Sequence, residues 1–159
     1  MTQTDKPYPK EIVTKEKVTG DAEETTVVTV VNNEYEEAGV RAAIGYMNAF
    51  NERNPDECNA HINFPHARVG AEANLVVNEK PEVMTPQNFF ENFSRRFEWN
   101  HSCWDYRKVI QSKENKVHIQ VQFSRYRADG SKIGIYPSLW IMTKQDNHWG
   151  IKMRSSFAM

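Results

Sequence analysis

At 159 residues the chain has the length of one domain with enough apolar side chains for one good core. Its net charge of −1 supplies no global field for nucleic acid or for an anionic membrane, and no stretch reaches the roughly 18 apolar residues needed to span a bilayer. The opening residues 1–7 lack an apolar run, and two cysteines, Cys58 and Cys103, are too few for a disulfide framework. A cytoplasmic protein without a cofactor, a nucleic-acid partner or a membrane partner is therefore expected.

Residues 1 to about 24 are polar, carry Pro7, Pro9 and Gly20, and read as a tail. Residues 25–31 are dense in Thr and Val and suit a strand. That strand is either an extra element on the same subunit or an arm laid over a partner. The division expected is an extension over 1–33, with the extra strand at 25–31, followed by a domain over 34–159.

Asn32 or Asn33 can cap a first helix, whose positive first turn holds Glu34, Glu36 and Glu37. Tyr35, Ala38, Ala42, Tyr46, Ala49 and Phe50 recur at helical spacing on one stripe. Asn54 and Pro55 end that helix and start a short second one, to about Ile62, which Phe64-Pro65 terminates. Residues 66–70 and 74–78 read as a short hairpin. Thr85-Pro86 starts a third helix, lined by Phe89, Phe90, Phe93 and Phe97.

The last third reads as four antiparallel strands. Val117, Ile119, Val121 and Phe123 alternate with His118, Gln120, Gln122 and Ser124, which places one set on each face of a sheet. Asp129-Gly130 supplies the hairpin turn, and 133–144 is the return strand. Residues 145–147 turn again, and 148–157 close the meander. Pro137 lies inside the return strand, so a bulge that curves the sheet is expected there.

This element order resembles the nuclear transport factor 2-like superfamily. Residues 46–56 are similar to its first helix running into its second, 123–130 to its central hairpin, and 149–157 to its closing strand. The resemblance covers about 34–157. It implies an α+β fold: a cone-shaped half-barrel of three helices on a strongly bent, mostly antiparallel six-strand sheet. It also implies a pocket opening between helix ends and strand ends. Members include ketosteroid isomerases, polyketide cyclases, dehydratases and plain binding modules, so the fold leaves the activity open.

Tyr46 matches the position of the isomerase's oxyanion-stabilising tyrosine, and its alternative is a core tyrosine. The isomerase's carboxylate base has no counterpart, since Glu72 is the one acid between 66 and 72 and falls in the expected turn. His66 can handle a proton instead, with Arg68 on the same strand face to orient a charge, unless both are surface groups. Tyr46, His66 and Arg68 are the candidate catalytic set. Phe50, Phe89, Phe93, Trp104, Tyr136 and Arg154 are candidate ligand contacts, although alternation from Ile151 and Met153 also puts Arg154 on a charged outer face. Cys58, His61 and His66 have no zinc-ligand spacing, so no metal is expected. Two functions follow: an acid–base enzyme of isomerase, cyclase or dehydratase type on a small carbonyl compound, or a non-catalytic module holding a small apolar ligand. A homodimer through the outer sheet face, with Trp140 or Tyr136 in its apolar patch, is the expected partner.

Overall fold

The structure, a computed structural model, describes residues 7–158. The alternating run forms β6 (Lys116–Tyr126), at the centre of the meander β5 (His101–Lys113), β6, β7 (Lys132–Gln145) and β8 (His148–Ser156). Two further strands, β3 (Ile62–Val69) and β4 (Leu75–Asn78), extend it to an open six-strand sheet in the order β4-β3-β8-β7-β6-β5. The β3–β8 pair is parallel and every other pair antiparallel.

Curvature comes from bulges, though not at Pro137. β5 carries extra residues at Asp105 and Ile110, and β8 one at Lys152. Pro137 stays in register opposite Gln122, and the β8 ladder begins one residue later, at Ser138. Its missing N–H therefore removes no β7–β8 ladder bond.

Helix α1 (Glu34–Asn51) lies in the concavity. The Asn33 side chain accepts the Glu36 N–H at 2.9 Å, and Glu36 reaches back to the Asn32 N–H at 3.0 Å, so the helix start is tied in both directions. Val40, Ala43, Met47 and Phe50 form its buried stripe. At Gly39 a Cβ would come within 3.2 Å of Val117, so glycine lets the helix sit this close to β6. The far end is anchored by Asn51, whose side chain exchanges two hydrogen bonds with the backbone of Ser102 at 2.8 and 2.9 Å.

Asn54 caps α2 (Pro55–Ala60), which ends before Pro65. Pro65 lies within β3, where the register with β8 breaks between Ile62 and Ala67. The third expected helix starts later than Thr85. A single turn, α3 (Pro81–Met84), precedes it, and α4 spans Phe89–Phe97. Pro86 to Phe89 form a turn, closed by the Phe89 N–H on the Pro86 carbonyl. No helix of the described residues is long and apolar enough to cross a membrane.

The N-terminal segment differs most from expectation. β1 (Lys10–Glu16) pairs antiparallel with β2 (Thr25–Val31) in a separate two-strand ribbon, so 25–31 finds its partner in its own chain. Polar composition hides β1 because Ile12 is its single buried residue. Arg107, 3% exposed, holds the ribbon onto β5. Its guanidinium donates to the Thr29 and Thr14 hydroxyls, both at 2.9 Å, and to the Val27 carbonyl at 3.3 Å. Burial lowers its pKa to about 10, which leaves it charged at neutral pH. Arg107→Ala strips three oxygens of their donor and should cost about 2–4 kcal/mol. Amide exchange should accelerate first in β1 and β2 while Ile119 and Val121 stay protected. Unchanged ribbon exchange would mean that Ile12, Val27 and Val31 hold it without the arginine.

Candidate functional site

A cavity of about 310 Å³ opens where α1, α4 and β3 meet the concave face of β6–β8. One wall is aromatic. Phe50 on α1 is surrounded by Phe89, Phe90, Phe93 and Trp99, with ring centroids 4.9 to 5.9 Å away. Phe89 and Phe93 stand one turn apart on α4 and stack at 5.5 Å. Phe89, Phe93 and Phe97 face the cavity.

The opposite wall is cationic. Arg68 on β3 lies beside Arg154 on β8 in the parallel register, and Trp140 on β7 pairs with Arg154 from the other side. The Arg154 guanidinium sits 5.1 Å from the Tyr46 ring and 5.7 Å from the Trp140 ring. It donates from Nε to His66 Nε2 at 3.3 Å and from one terminal nitrogen to the Tyr46 hydroxyl at 3.4 Å. Arg68 donates to the Ala158 main-chain carbonyl. Arg125 on β6 is stacked 4.6 Å from the Tyr136 ring and 4.9 Å from Phe93, and its Nε has no hydrogen-bond partner. Arg96 stands exposed at the mouth. No aspartate or glutamate among the described residues lines the cavity.

The electrostatics follow from this excess of cations. His66 is fully buried, and burial first, then Arg154, Arg68 and Lys152, push its pKa down to about 3. Its ring is neutral at physiological pH, with Nε2 accepting from Arg154 and Nδ1 unpartnered. Burial lowers the pKa of Arg68 and Arg125 as well, and the Arg154 charge adds to the effect on Arg68. The Trp140 indole N–H, in a side chain 1% exposed, also lacks an acceptor.

Of the residues singled out in the sequence, Tyr46, His66, Arg68, Phe50, Phe89, Phe93 and Arg154 all line this cavity. Trp104 does not: it is buried deeper, between Trp140 at 5.4 Å and Arg107 at 5.1 Å. Tyr136 stands behind Arg125, its ring folded over Gly134, where a Cβ would lie 2.7 Å from the phenol oxygen. Glu72 is exposed in the β3–β4 turn and does not line this cavity, but it lines an adjoining pocket with Arg68, Val76, Arg96 and Ala158. Arg154 turns inward because the bulge at Lys152 inserts one residue between Ile151 and Met153. Ile151 and Arg154 thus share the inner face, which strict alternation forbids. Arg125 was missed, although it continues the inward series 117, 119, 121 and 123. Phe123 and Trp140 line the cavity as well.

No functionally curated protein matches the sequence. Among solved structures, an NTF2-like protein of unknown function from Shewanella oneidensis is similar, with TM-score 0.61 at 11% identity over 79% of this chain and 100% of that one. A ketosteroid isomerase-like protein from Erwinia carotovora gives 0.56 at 17% identity over 79% and 96%. A cystatin-like-fold protein of unknown function from Nostoc punctiforme gives 0.62 at 11% identity over 79% and 92%. At these identities the likeness shows the fold alone. A family model described as "NTF2-like protein (DUF6841)" matches residues 22–155, and the chain belongs to that NTF2-like family.

Proposed function

We propose that this protein binds a small organic molecule in the arginine- and phenylalanine-lined cavity without acid–base turnover. One observation carries the reading. The cavity offers donors and apolar surface but no carboxylate among the described residues, and its one imidazole is a poor base, with its pKa pushed down to about 3 and its Nε2 lone pair already accepting from Arg154. The second reading is an isomerase- or cyclase-type enzyme acting on a small carbonyl compound. Tyr46 favours it: the phenol oxygen accepts from Arg154, which leaves its own O–H free to donate to a carbonyl or developing oxyanion. That arrangement stabilises negative charge and removes no proton.

The Trp140 indole N–H is the natural probe. Small aromatic fragments should shift its NMR resonance, assigned by its loss in Trp140→Phe. Tyr46→Phe should weaken those fragments about 3- to 10-fold, the worth of one hydrogen bond, with little change in melting temperature. No fragment shifting the resonance would overturn the binding reading, and proton exchange at the α-carbon of a bound carbonyl fragment would favour the enzyme.

His66 gives a pH signature. Its folded pKa lies near 3 against an ordinary 6.5, so between those values the unfolded chain holds a proton that the folded chain does not. Its contribution to stability is complete above about pH 6.5 and is lost as pH falls toward 3, by at most about 1.4 kcal/mol per pH unit. Urea unfolding across pH 7 to about 4 should show a shallower loss in His66→Gln than in wild type. Equal slopes would mean that the imidazole is not desolvated.

The partner we propose is a second copy docked through the outer sheet face. Trp140 and Tyr136 belong to the inner face and cannot contribute, because both stand on the Phe123 side of β7. The outward apolar groups are instead Tyr106, Ile135 and Met153, each more than a third exposed, with Leu139 and Ile141 between them. Light scattering at micromolar concentration should give a dimer, and the exposed-site pair Ile135→Lys with Met153→Lys should give a folded monomer. A monomeric wild type would refute the interface.

A further inference from the structure

Resting on the binding reading above, we infer that the ligand of this cavity is an organic carboxylate with a flat apolar body. Its charge would seat between Arg68, Arg154 and Arg125, and its body among the α4 phenylalanines.

The charge balance points to an anion. Three guanidiniums reach one small cavity from β3, β6 and β8, and none has an ion pair among the described residues. Arg68 has a main-chain carbonyl, Arg154 a neutral imidazole and a phenol, and Arg125 the faces of aromatic rings and the Tyr136 phenol, all of them neutral partners. Arginine keeps its proton, so it cannot relieve this arrangement by neutralising as a lysine would. A partly buried cation without a counter-charge costs free energy that an incoming anion recovers.

The hydrogen-bond inventory agrees. Arg125 Nε–H and Trp140 Nε1–H are buried donors without acceptors. A carboxylate offers only acceptor sites, on two oxygens, and matches the guanidinium fork. A neutral carbonyl would satisfy one or two donors and leave the charges unbalanced. Phosphate sites usually draw on main-chain N–H groups at glycine loops or helix starts, whereas no glycine lines this cavity and its cationic wall is built from side chains.

The rest of the cavity requires an apolar body. Phe89, Phe93, Phe97, Val76 and Met84 form the opposite side, and Phe89 and Phe93 lie nearly parallel, 14° apart. At about 310 Å³ the space is at the small end of ligand pockets, which suits one ring and a short acid rather than a steroid.

The test is isothermal titration of the full chain with phenylacetate, phenylacetamide, acetate and inorganic phosphate. Phenylacetate should bind saturably, phenylacetamide and acetate at least about tenfold more weakly, each lacking one half of the recognition. Arg125→Met should lose about tenfold in phenylacetate affinity while keeping phenylacetamide affinity. Without ligand it should melt at or above the wild-type temperature, because an uncompensated cation is gone. If Arg125→Met fails to fold, Arg154→Met carries the same comparison. Equal affinity for acid and amide would overturn the carboxylate assignment and leave the pocket reading intact. Phosphate binding more tightly than phenylacetate would overturn it in favour of a bare anion site. Failure of all four ligands together with a silent Trp140 resonance in the fragment experiment would overturn both, whereas failure of the four with a responsive resonance would overturn the carboxylate alone.

Discussion

One guanidinium holds the cationic wall together. Arg154 lies against the Tyr46 and Trp140 rings, bonds His66 on β3 and Tyr46 on α1, and stands in register beside Arg68. It therefore ties β8, the long helix and the parallel strand β3 to one point. The inward direction of its side chain depends on a single inserted residue, Lys152. Deleting that residue would restore strict alternation beyond Ile151 and send Arg154 to the outer face, because a one-residue shift in a strand exchanges its faces. The bulge thus works as a site-building device as well as a bend in the sheet.

A comparison of two arginines separates structure from function in this fold. Arg107 and Arg125 both project from the concave side of the sheet and both lie against aromatic rings. Arg107 meets three oxygens at 2.9 to 3.3 Å and has Glu16 in its electrostatic surroundings, so it is satisfied and clamps the ribbon. Arg125 has its Nε idle and no acid beside it in the cavity. A chain under selection for stability alone has no reason to keep the second arrangement, since an apolar side chain would pack against Phe93 and Phe123 without the desolvation cost. What sets Arg125 apart from the other unpartnered buried groups is that its idle donor, like the unpartnered nitrogens of Trp140 and His66, belongs to a residue lining the cavity.

How much of this was legible in the sequence depended on which physical signal each element leaves. Alternation in β6, the Asn33 cap and the Asp129-Gly130 turn are local signals, and the sheet order and the long helix follow from them. β1 leaves almost none, because Ile12 is its single buried residue and its docking runs through Arg107, 91 positions from Glu16 and in a different element. Bulges are equally silent, since an extra residue changes a register and not a composition. That is why Arg154 reads as outward while the structure turns it in. Arg125 is a different case: its parity with Phe123 is readable in the sequence, but an arginine at an inward position runs against the usual exposure of charged side chains.

The same electrostatics that make the cavity receptive also explain why it contains a histidine rather than a lysine or an acid at position 66. A carboxylate there would neutralise Arg154 internally and leave no vacancy for an anion. A lysine would add a fourth cation and a larger desolvation cost. Neutral imidazole accepts the Arg154 N–H without cancelling its charge, so it fixes the guanidinium's direction and leaves its field intact. Tyr46 does the same from the helix side through its phenol oxygen. Position and charge are thereby supplied by different residues: neutral acceptors set where Arg154 points, and no ion pair among the described residues discharges it.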